Sequence, residues 1–214
     1  MFYFSNIVKY LDDFHFPNGT HYIVMEYCSF GSLDEMVFNI PNTEKNIWEI
    51  IKQLANALSH LHSKEIIHGD IKPENVLLSK EGHSRANLKL ADFGSSWDKY
   101  FTHNDTYEAR YYGGTEGYFP PEVLKNETFD KSADIWSFGA TIVLVCNWQL
   151  PFVTKEEIIT WTGNYTPIYN PSRYSADLHL LIMAMLNPEP ERRPTAETIY
   201  DIASKKFVVT NDFL

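Results

Sequence analysis

The sequence contains little cysteine and no long apolar run. Its 214 residues include two cysteines, Cys28 and Cys146, which lie far apart and lack metal-ligand spacing, so a reducing compartment is favoured. The longest strongly apolar run, residues 138–146, is far shorter than the roughly 20 residues that span a bilayer. The first residues also lack the basic segment and apolar core of a secretory signal. We therefore expect no membrane contact and a cytoplasmic location, with the nucleus as the alternative.

Basic residues are outnumbered by acidic ones. The chain has 18 lysines and arginines against 28 aspartates and glutamates, a net charge of −10, which argues against a nucleic-acid partner because phosphate backbones attract basic patches. Hydrophobic residues at 44% and charged residues at 21% are typical of a folded chain. No repeat, low-complexity tract or linker is present, so a single domain over residues 1–214 is expected.

The first third of the chain has the pattern of a hairpin followed by helices. Two apolar runs, residues 6–14 and 21–26, flank a turn signal at residues 17–19, which predicts a β-hairpin. Residues 32–35 have the spacing of a capping box and predict a short helix. Across residues 43–62 apolar side chains recur every three or four positions, which predicts a long amphipathic helix.

The remaining sequence changes from short strands to helices. Polar loops separate three strand-like pieces, at residues 66–67, 76–78 and 88–90. Residues 95–113 show no period and predict a long loop. Helical patterns follow at residues 133–146, 154–160, 175–186 and 195–203. The expected fold class is therefore α+β, with the last two thirds of the chain mostly α-helical.

A polar loop between two predicted strands carries Asp70, Lys72 and Asn75. The segment His68-Gly-Asp-Ile-Lys-Pro-Glu-Asn75 resembles the catalytic loop of protein kinases. The resemblance implies phosphoryl transfer, which mainly requires an oriented hydroxyl and neutralised phosphate charge. In that reaction Asp70 could orient the hydroxyl as a base, Lys72 could stabilise the γ-phosphate, and Asn75 could offer an oxygen to magnesium. Taken alone, the same spacing also fits a solvated turn.

The tripeptide Asp92-Phe-Gly94 follows the strand-like piece at residues 88–90. It resembles the magnesium-binding motif that opens the kinase activation loop. The resemblance implies that Asp92 and Asn75 hold the metal, and that Phe93 packs beneath the site. An isolated tripeptide of this kind also fits a surface turn.

Residues 114–122, Gly-Thr-Glu-Gly-Tyr-Phe-Pro-Pro-Glu, resemble the end of a kinase activation segment. The resemblance implies serine/threonine specificity, from Thr115 together with Lys72. It also implies an ion pair between Glu122 and Arg193, for which a surface pair worth roughly 0–1 kcal/mol is the alternative. Asp134 opens an apolar helix and resembles the residue that holds the catalytic-loop backbone, although a simple helix N-terminal charge is the alternative.

Residues 25–28, Met-Glu-Tyr-Cys, resemble a kinase hinge. The resemblance implies that Met25 is the gatekeeper and that the backbones of Glu26 and Cys28 bind the adenine edge of ATP. Leu77, by its position, would form the floor of the adenine pocket. Each of these residues, taken alone, is more often part of a core.

Several parts of the family pattern are absent from this sequence. The glycine-rich G-x-G-x-x-G, the strand lysine and its helix glutamate are not found. The expected division is therefore residues 1–26 as a remnant of small-lobe strands, 27–31 as the hinge and 32–214 as the large lobe. Gly69 stands where the family usually carries an arginine that receives activation-loop phosphate, which argues against that switch. The hydroxyls of Ser95, Thr102, Thr106 and Tyr107 remain candidate phosphosites only as exposed hydroxyls, and Arg110 is the alternative phosphate partner.

Together these motifs resemble the large lobe of a eukaryotic-type serine/threonine protein kinase. The resemblance implies a mainly helical lobe with a hinge-side hairpin and small catalytic-loop strands. It also implies transfer of the ATP γ-phosphoryl group to Ser or Thr of a protein substrate, with ATP and Mg²⁺ as cofactors. A catalytically inactive kinase-like module that binds proteins is the alternative. The apolar surface that a missing small lobe would expose predicts either poor solubility or a partner that covers the lobe junction.

Overall fold

The computed structural model describes residues 4–36, 43–81, 85–98, 107–108, 113–163 and 173–206. In these ranges the chain forms helices and two-stranded sheets, which agrees with the expected α+β class. None of the helices in these ranges is long and apolar enough to cross a membrane.

The hairpin consists of β1 (Tyr10–His15) and β2 (His21–Met25), which pair antiparallel. Its turn is closed by the N–H of Phe16, which donates a 2.8 Å hydrogen bond to the carbonyl of Thr20. The predicted hairpin is confirmed. Because β2 ends at Met25, it leads directly into the segment that resembles a hinge.

The residues before the hairpin do not belong to it. β1 begins at Tyr10, whereas the sequence predicts a start at residue 6. Residues 6–8 instead run beside the end of a later strand, where Val8 donates to the carbonyl of Leu90 at 2.9 Å and Leu90 donates to the carbonyl of Asn6 at 2.9 Å. This pairing is long-range, so local periodicity does not indicate it.

Seven helices lie within the described residues: α1 (Leu33–Met36), α2 (Glu44–Ser63), α3 (Pro121–Leu124), α4 (Ser132–Asn147), α5 (Lys155–Ile159), α6 (Ala176–Met185) and α7 (Ala196–Ser204). Four of them begin after a hydroxyl that accepts a hydrogen bond from a first-turn N–H, at Thr43, Thr154, Ser175 and Thr195. Such caps satisfy donors that a helix leaves unpaired. The predicted helices are confirmed; α3 is too short to produce a period.

α2 lies at the centre of the core. The apolar stripe that predicts this helix is buried, at Ile47, Ile51, Leu54, Leu58 and Leu61. α2 packs against α7 and α4. Most of α4 is buried, including Trp136 and Phe138, so this helix has no polar face. The loops that precede α4 therefore rest on a rigid support.

Three further antiparallel pairs lie within the described ranges: β3 (Ile66–Ile67) with β6 (Trp97–Asp98), β4 (Val76–Glu81) with β5 (Arg85–Leu90), and β7 (Tyr107–Glu108) with β8 (Thr128–Phe129). β6 and β7 fall in residues 95–113, where the sequence predicts only a loop. Two-residue strands carry no period, and β6 is held by Trp97, whose ring packs edge-on against Phe129 with centroids 6.2 Å apart. Thr102, Thr106 and the rest of residues 99–106 and 109–112 lie outside the described residues.

Candidate active site

Gly69 sets the shape of the loop between β3 and β4. Its φ is 80°, in the left-handed region that favours glycine. A Cβ at this position would lie 2.5 Å from the backbone oxygen of Ser95, so a larger residue would displace that segment. The glycine that departs from the family pattern is therefore required by the local geometry of this loop.

Asp134, in the first turn of α4, holds the start of the same loop. Its side chain is fully buried and accepts hydrogen bonds from the N–H groups of His68 at 2.8 Å and Gly69 at 2.9 Å. Nε2 of His62 lies 2.9 Å from the same carboxylate. Burial alone would raise the pKa of Asp134, but the His62 hydrogen bond and the nearby charges outweigh it and lower the pKa. Asp134 thus holds the loop backbone as an ionised carboxylate.

Asp70 is the centre of a polar cluster with Lys72, Asn75 and Thr115. Nζ of Lys72 lies 2.8 Å from Oδ2 of Asp70, and the amide nitrogen of Asn75 donates to the same oxygen at 3.0 Å. The hydroxyl of Thr115 donates to Oδ1 at 2.7 Å and accepts from Lys72 at 2.7 Å. The structure therefore brings three predicted catalytic residues together with Thr115, which comes from a segment more than forty residues away.

The charge of Asp70 is stabilised by these contacts. Its side chain is only 10% exposed, and burial would raise the pKa of the carboxyl group. Hydrogen bonds from Lys72, Thr115 and Asn75 act in the opposite direction and together lower the pKa below the ordinary value. Asp70 is consequently ionised at neutral pH and able to accept a hydrogen bond from an alcohol.

Asp92 lies just beyond β5 and next to the loop that is predicted to be catalytic. It is exposed and has a φ of 61°, which is uncommon for residues other than glycine, asparagine and aspartate. Its Oδ1 accepts from the N–H of Gly94 at 3.1 Å. The preceding Ala91 donates to the carbonyl of Asn75 at 2.9 Å. The two predicted metal ligands, Asn75 and Asp92, thus lie on backbone segments that are joined by a hydrogen bond.

The segment that resembles a hinge has one backbone group already in use. The N–H of Glu26 donates to the carbonyl of Lys9 at 2.9 Å, so a ligand at Glu26 would use the carbonyl. Met25 is 49% exposed, whereas Cys28 is buried. Leu77 packs with Cys28 in a small apolar cluster next to Ala91. Two of the residues predicted to surround adenine, Cys28 and Leu77, therefore lie close to the residue that precedes Asp92.

Lys89 is a site residue that the sequence does not indicate. In the alternating Leu-Lys-Leu of β5 a lysine is expected to face solvent, but the Lys89 side chain is fully buried. Its Nζ lies 3.0 Å from Oε1 of Glu26 and donates to the carbonyl of Ser5 at 3.1 Å. A buried charge requires such a partner. The ion pair ties the hinge segment to β5, and only its long-range contacts reveal it.

Glu122 and Arg193 form a buried bidentate ion pair. Nη1 and Nη2 of Arg193 each lie 2.7 Å from one oxygen of the Glu122 carboxylate, and both side chains are buried. Further N–H groups of the guanidinium donate to the carbonyls of Asn187 and Ser132. The pair joins α3, at the end of the predicted activation segment, to the loop before α7. The alternative of an exposed surface pair is excluded by this burial.

A pH dependence of stability follows from His68. The N–H of Asp70 donates to Nδ1 of His68 at 3.3 Å, so Nε2 carries the proton and donates to the carbonyl of Ala91 at 3.0 Å. Burial lowers the pKa of His68 below its ordinary value of 6.5. As the pH falls below about 6.5, the unfolded chain binds a proton that the folded chain does not, so stability decreases by up to about 1.4 kcal/mol per pH unit. The decrease ends at the lowered pKa of the folded state.

Urea denaturation between pH 7.5 and pH 5 measures this dependence. The variant His68→Gln keeps a side-chain N–H but cannot titrate. The slope of its unfolding free energy against pH should therefore be smaller than that of the wild type, by the equivalent of up to one bound proton. An unchanged slope in the variant would contradict the assignment of this proton uptake to His68.

The chain is similar to known proteins over most of its length. The family model described as protein kinase domain matches residues 1–204. Probable serine/threonine-protein kinase nek2 of Dictyostelium discoideum is 32% identical over 96% of this chain and 50% of its own length. Serine/threonine-protein kinase Nek5 of Mus musculus is 32% identical over 91% of this chain and 31% of its own length. Serine/threonine-protein kinase 10 of Danio rerio is 33% identical over 96% of this chain and 21% of its own length.

The chain spans half or less of the length of these curated relatives. The matched part nevertheless includes the catalytic-loop cluster, the Asp92 segment and the buried ion pair described above. The family match over residues 1–204 and the three similar kinases therefore lead to one conclusion: the chain belongs to the protein kinase domain family.

Proposed function

We propose that this chain is a protein serine/threonine kinase, which transfers the γ-phosphoryl group of ATP to Ser or Thr hydroxyls of proteins. The observation that carries the proposal is the hydrogen bond from the Thr115 hydroxyl to ionised Asp70, 2.7 Å long. It supports the idea that Asp70 orients an alcohol, as a substrate Ser or Thr would require. The names of the similar kinases support the same substrate class.

In the proposed reaction the substrate oxygen attacks the γ-phosphorus, and the bond from that phosphorus to the ADP oxygen breaks. Asp70 orients the attacking hydroxyl and receives its proton. Lys72 lies 2.8 Å from Asp70, so its ammonium would stand next to the negative charge that spreads over the transferred group. Both residues act through position and charge, and neither forms a covalent bond to substrate.

Asn75 and Asp92 are the residues proposed to hold Mg²⁺. Protein kinases in general use ATP and Mg²⁺, and magnesium prefers oxygen ligands such as these. The contact of Asn75 Nδ2 with Asp70 directs its amide nitrogen inward, so its oxygen is the atom suited to the metal. The exposed Asp92 carboxylate supplies a negative ligand. When bound, the metal would neutralise phosphate charge, while Asp70 and Lys72 keep the roles given above.

The division into lobes is also part of the proposal. Residues 1–26 would be a remnant of small-lobe strands, 27–31 the hinge and 32–214 the large lobe. Exposed apolar residues on both strands of the hairpin support it: Leu11 49%, Phe14 51%, Tyr22 58%, Ile23 59% and Met25 49%. A two-stranded hairpin without a covering layer is marginally stable.

A groove next to the hairpin also supports the proposal that residues 1–26 are a remnant of a small lobe. It has a volume of about 420 Å³, and its lining includes Val8, Leu61, Ile66 and Phe93. An apolar surface of this kind favours contact with protein. We propose that the remainder of a small lobe covers the hairpin and this groove, either from the same polypeptide or from a partner. The same exposed surface favours the second candidate function, an inactive module that binds proteins.

Nucleotide binding separates the two functions. Mg-ATP at about 100 times its dissociation constant should stabilise the folded chain by about 2.7 kcal/mol, which corresponds to a rise in Tm of roughly 5–10 °C for a domain of this size. Asp92→Asn should remove most of this rise, because the variant loses the charged metal ligand. Differential scanning fluorimetry with Mg-ATP, and with ATP plus EDTA, measures the effect.

Asp201→Asn is the matched control, since Asp201 is an exposed aspartate of α7. It should respond to Mg-ATP as the wild type does. A wild-type Tm that does not change with millimolar Mg-ATP would contradict the kinase proposal and favour the protein-binding module.

A further inference from the structure

The turn end of the hairpin carries Asp13, His15 and His21 on one face. His15 and His21 are directly opposite each other in the β1–β2 register. Side chains two residues apart on a strand point to the same side, so Asp13 shares the face of His15. This placement follows from the register and from the short turn that joins the two strands.

The three side chains converge on one point. Nε2 of His15 lies 3.1 Å and Nε2 of His21 lies 3.0 Å from the same oxygen, Oδ2 of Asp13. The two imidazole rings are stacked, with centroids 3.8 Å apart and an interplanar angle of 16°. The potential ligand atoms all lie within 4.8 Å of one another. Among the residues that the structure describes, no other group of three His, Cys, Asp or Glu side chains has its potential ligand atoms this close together.

These distances are close to those of a metal centre. Zinc binds imidazole nitrogen and carboxylate oxygen at about 2.0–2.2 Å, so the ligands of a tetrahedral ion lie about 3.3 Å apart. Distances of 3.0 and 3.1 Å between Nε2 and Oδ2 would need to increase by a few tenths of an ångström. The stacked rings would also need to tilt, so that both Nε2 lone pairs point at one ion. The exposed imidazoles, 73% and 42% by side chain, leave room for that adjustment and for water as a fourth ligand.

The carboxylate is also oriented by a neighbour. The hydroxyl of Tyr10, at the start of β1, hydrogen-bonds to the other oxygen of Asp13. Such second contacts fix the direction of a ligand and are typical of metal centres. The donor set of two imidazoles and one carboxylate suits zinc, copper and nickel, whereas magnesium and calcium prefer oxygen ligands alone.

We propose that Asp13, His15 and His21 form a binding site for a divalent metal ion such as zinc, copper or nickel. The ion would bridge β1 and β2 across their turn and hold the hairpin in its register. Because β2 leads into the hinge segment, the site would stabilise the strand that enters the predicted nucleotide pocket. The site is separate from the proposed magnesium ligands Asn75 and Asp92, and it does not rest on kinase activity.

Calorimetric titration of the intact chain with ZnCl₂, in buffer containing excess Mg²⁺, tests the proposal. One Zn²⁺ should bind per chain. His21→Ala and Asp13→Asn should each weaken this binding by at least about 10- to 100-fold, since loss of an outer-shell partner alone has an effect of that size. Titration with Co²⁺ gives a second signal, because a tetrahedral site produces visible absorption that both variants should lose.

Asp12→Asn and His60→Ala are the matched controls, since Asp12 is the exposed neighbour of Asp13 and His60 lies on α2. Both should bind Zn²⁺ as the wild type does. Circular dichroism of each variant without metal checks the fold, and Asp13→Asn provides the test if His21→Ala unfolds. The proposal would be overturned if the wild type bound Zn²⁺ no more tightly than Asp13→Asn does. It would also be overturned if Asp12→Asn weakened Zn²⁺ binding as much as Asp13→Asn does.

Discussion

Replacing Arg193 by methionine should lower the free energy of unfolding by about 3–5 kcal/mol. The guanidinium is buried and bidentate to Glu122 at 2.7 Å, and it lies over the ring of Trp136, 5.2 Å from the centroid. Its removal leaves the Glu122 carboxylate buried without its counter-charge, which costs more than the pair contributes. Urea denaturation measures the loss.

Two further variants test the physical cause. Arg192→Met removes the neighbouring arginine, whose exposed side chain pairs with Glu189, and should change stability by only about 0–1 kcal/mol. The double variant Arg193→Met with Glu122→Leu should recover part of the loss, because no charge then remains buried alone. Equal losses for Arg192→Met and Arg193→Met, or no recovery in the double variant, would contradict this explanation.

The pair also has a consequence for function. Glu122 lies in α3, a few residues after Thr115, which contacts Asp70. A chain that loses the ion pair should therefore position Thr115 less firmly against the catalytic loop. Stability and phosphoryl transfer are expected to decrease together in Arg193→Met, whereas Arg192→Met should preserve both.

Features encoded by neighbouring residues could be predicted from the sequence. The apolar stripe of α2 marks that helix by its period. Hydroxyl caps mark where four helices begin, at Thr43, Thr154, Ser175 and Thr195. The catalytic-loop residues lie within eight positions, so a motif is sufficient to group them. Their assigned roles as base, phosphate ligand and metal ligands remain predictions.

Contacts between distant residues could be predicted only where the family pattern includes them, as it does for the Glu122–Arg193 pair. The burial of Lys89 requires Glu26, which is more than sixty residues away. Gly69 is needed because of the backbone of Ser95, and His62 contacts Asp134, which is more than seventy residues away. A single sequence without spatial contacts carries no signal for such pairs.

Asp70→Asn should lower kcat for phosphoryl transfer by about 100- to 10,000-fold, the usual contribution of an acid–base residue. The amide oxygen can still accept hydrogen bonds from Lys72 and Asn75, and the amide N–H can donate to the Thr115 hydroxyl. The loop should therefore keep its shape, but the amide lacks the charge that orients and deprotonates a hydroxyl. Binding of Mg-ATP, and hence the rise in Tm, should remain within a few-fold of wild type because the substitution leaves Asn75 and Asp92 in place. The separation of transfer from binding is the result that a structural role would not produce.

Transfer of the γ-phosphoryl group from labelled Mg-ATP to a pool of Ser- and Thr-containing peptides is the most direct test of the kinase proposal. Asp177→Asn is the control, because this aspartate of α6 is 64% exposed by side chain. We predict label on peptide hydroxyls with the wild type and Asp177→Asn, and almost none with Asp70→Asn. Equal transfer by all three proteins, or no transfer by the wild type, would contradict the proposal that Asp70 orients the attacking hydroxyl in an active kinase.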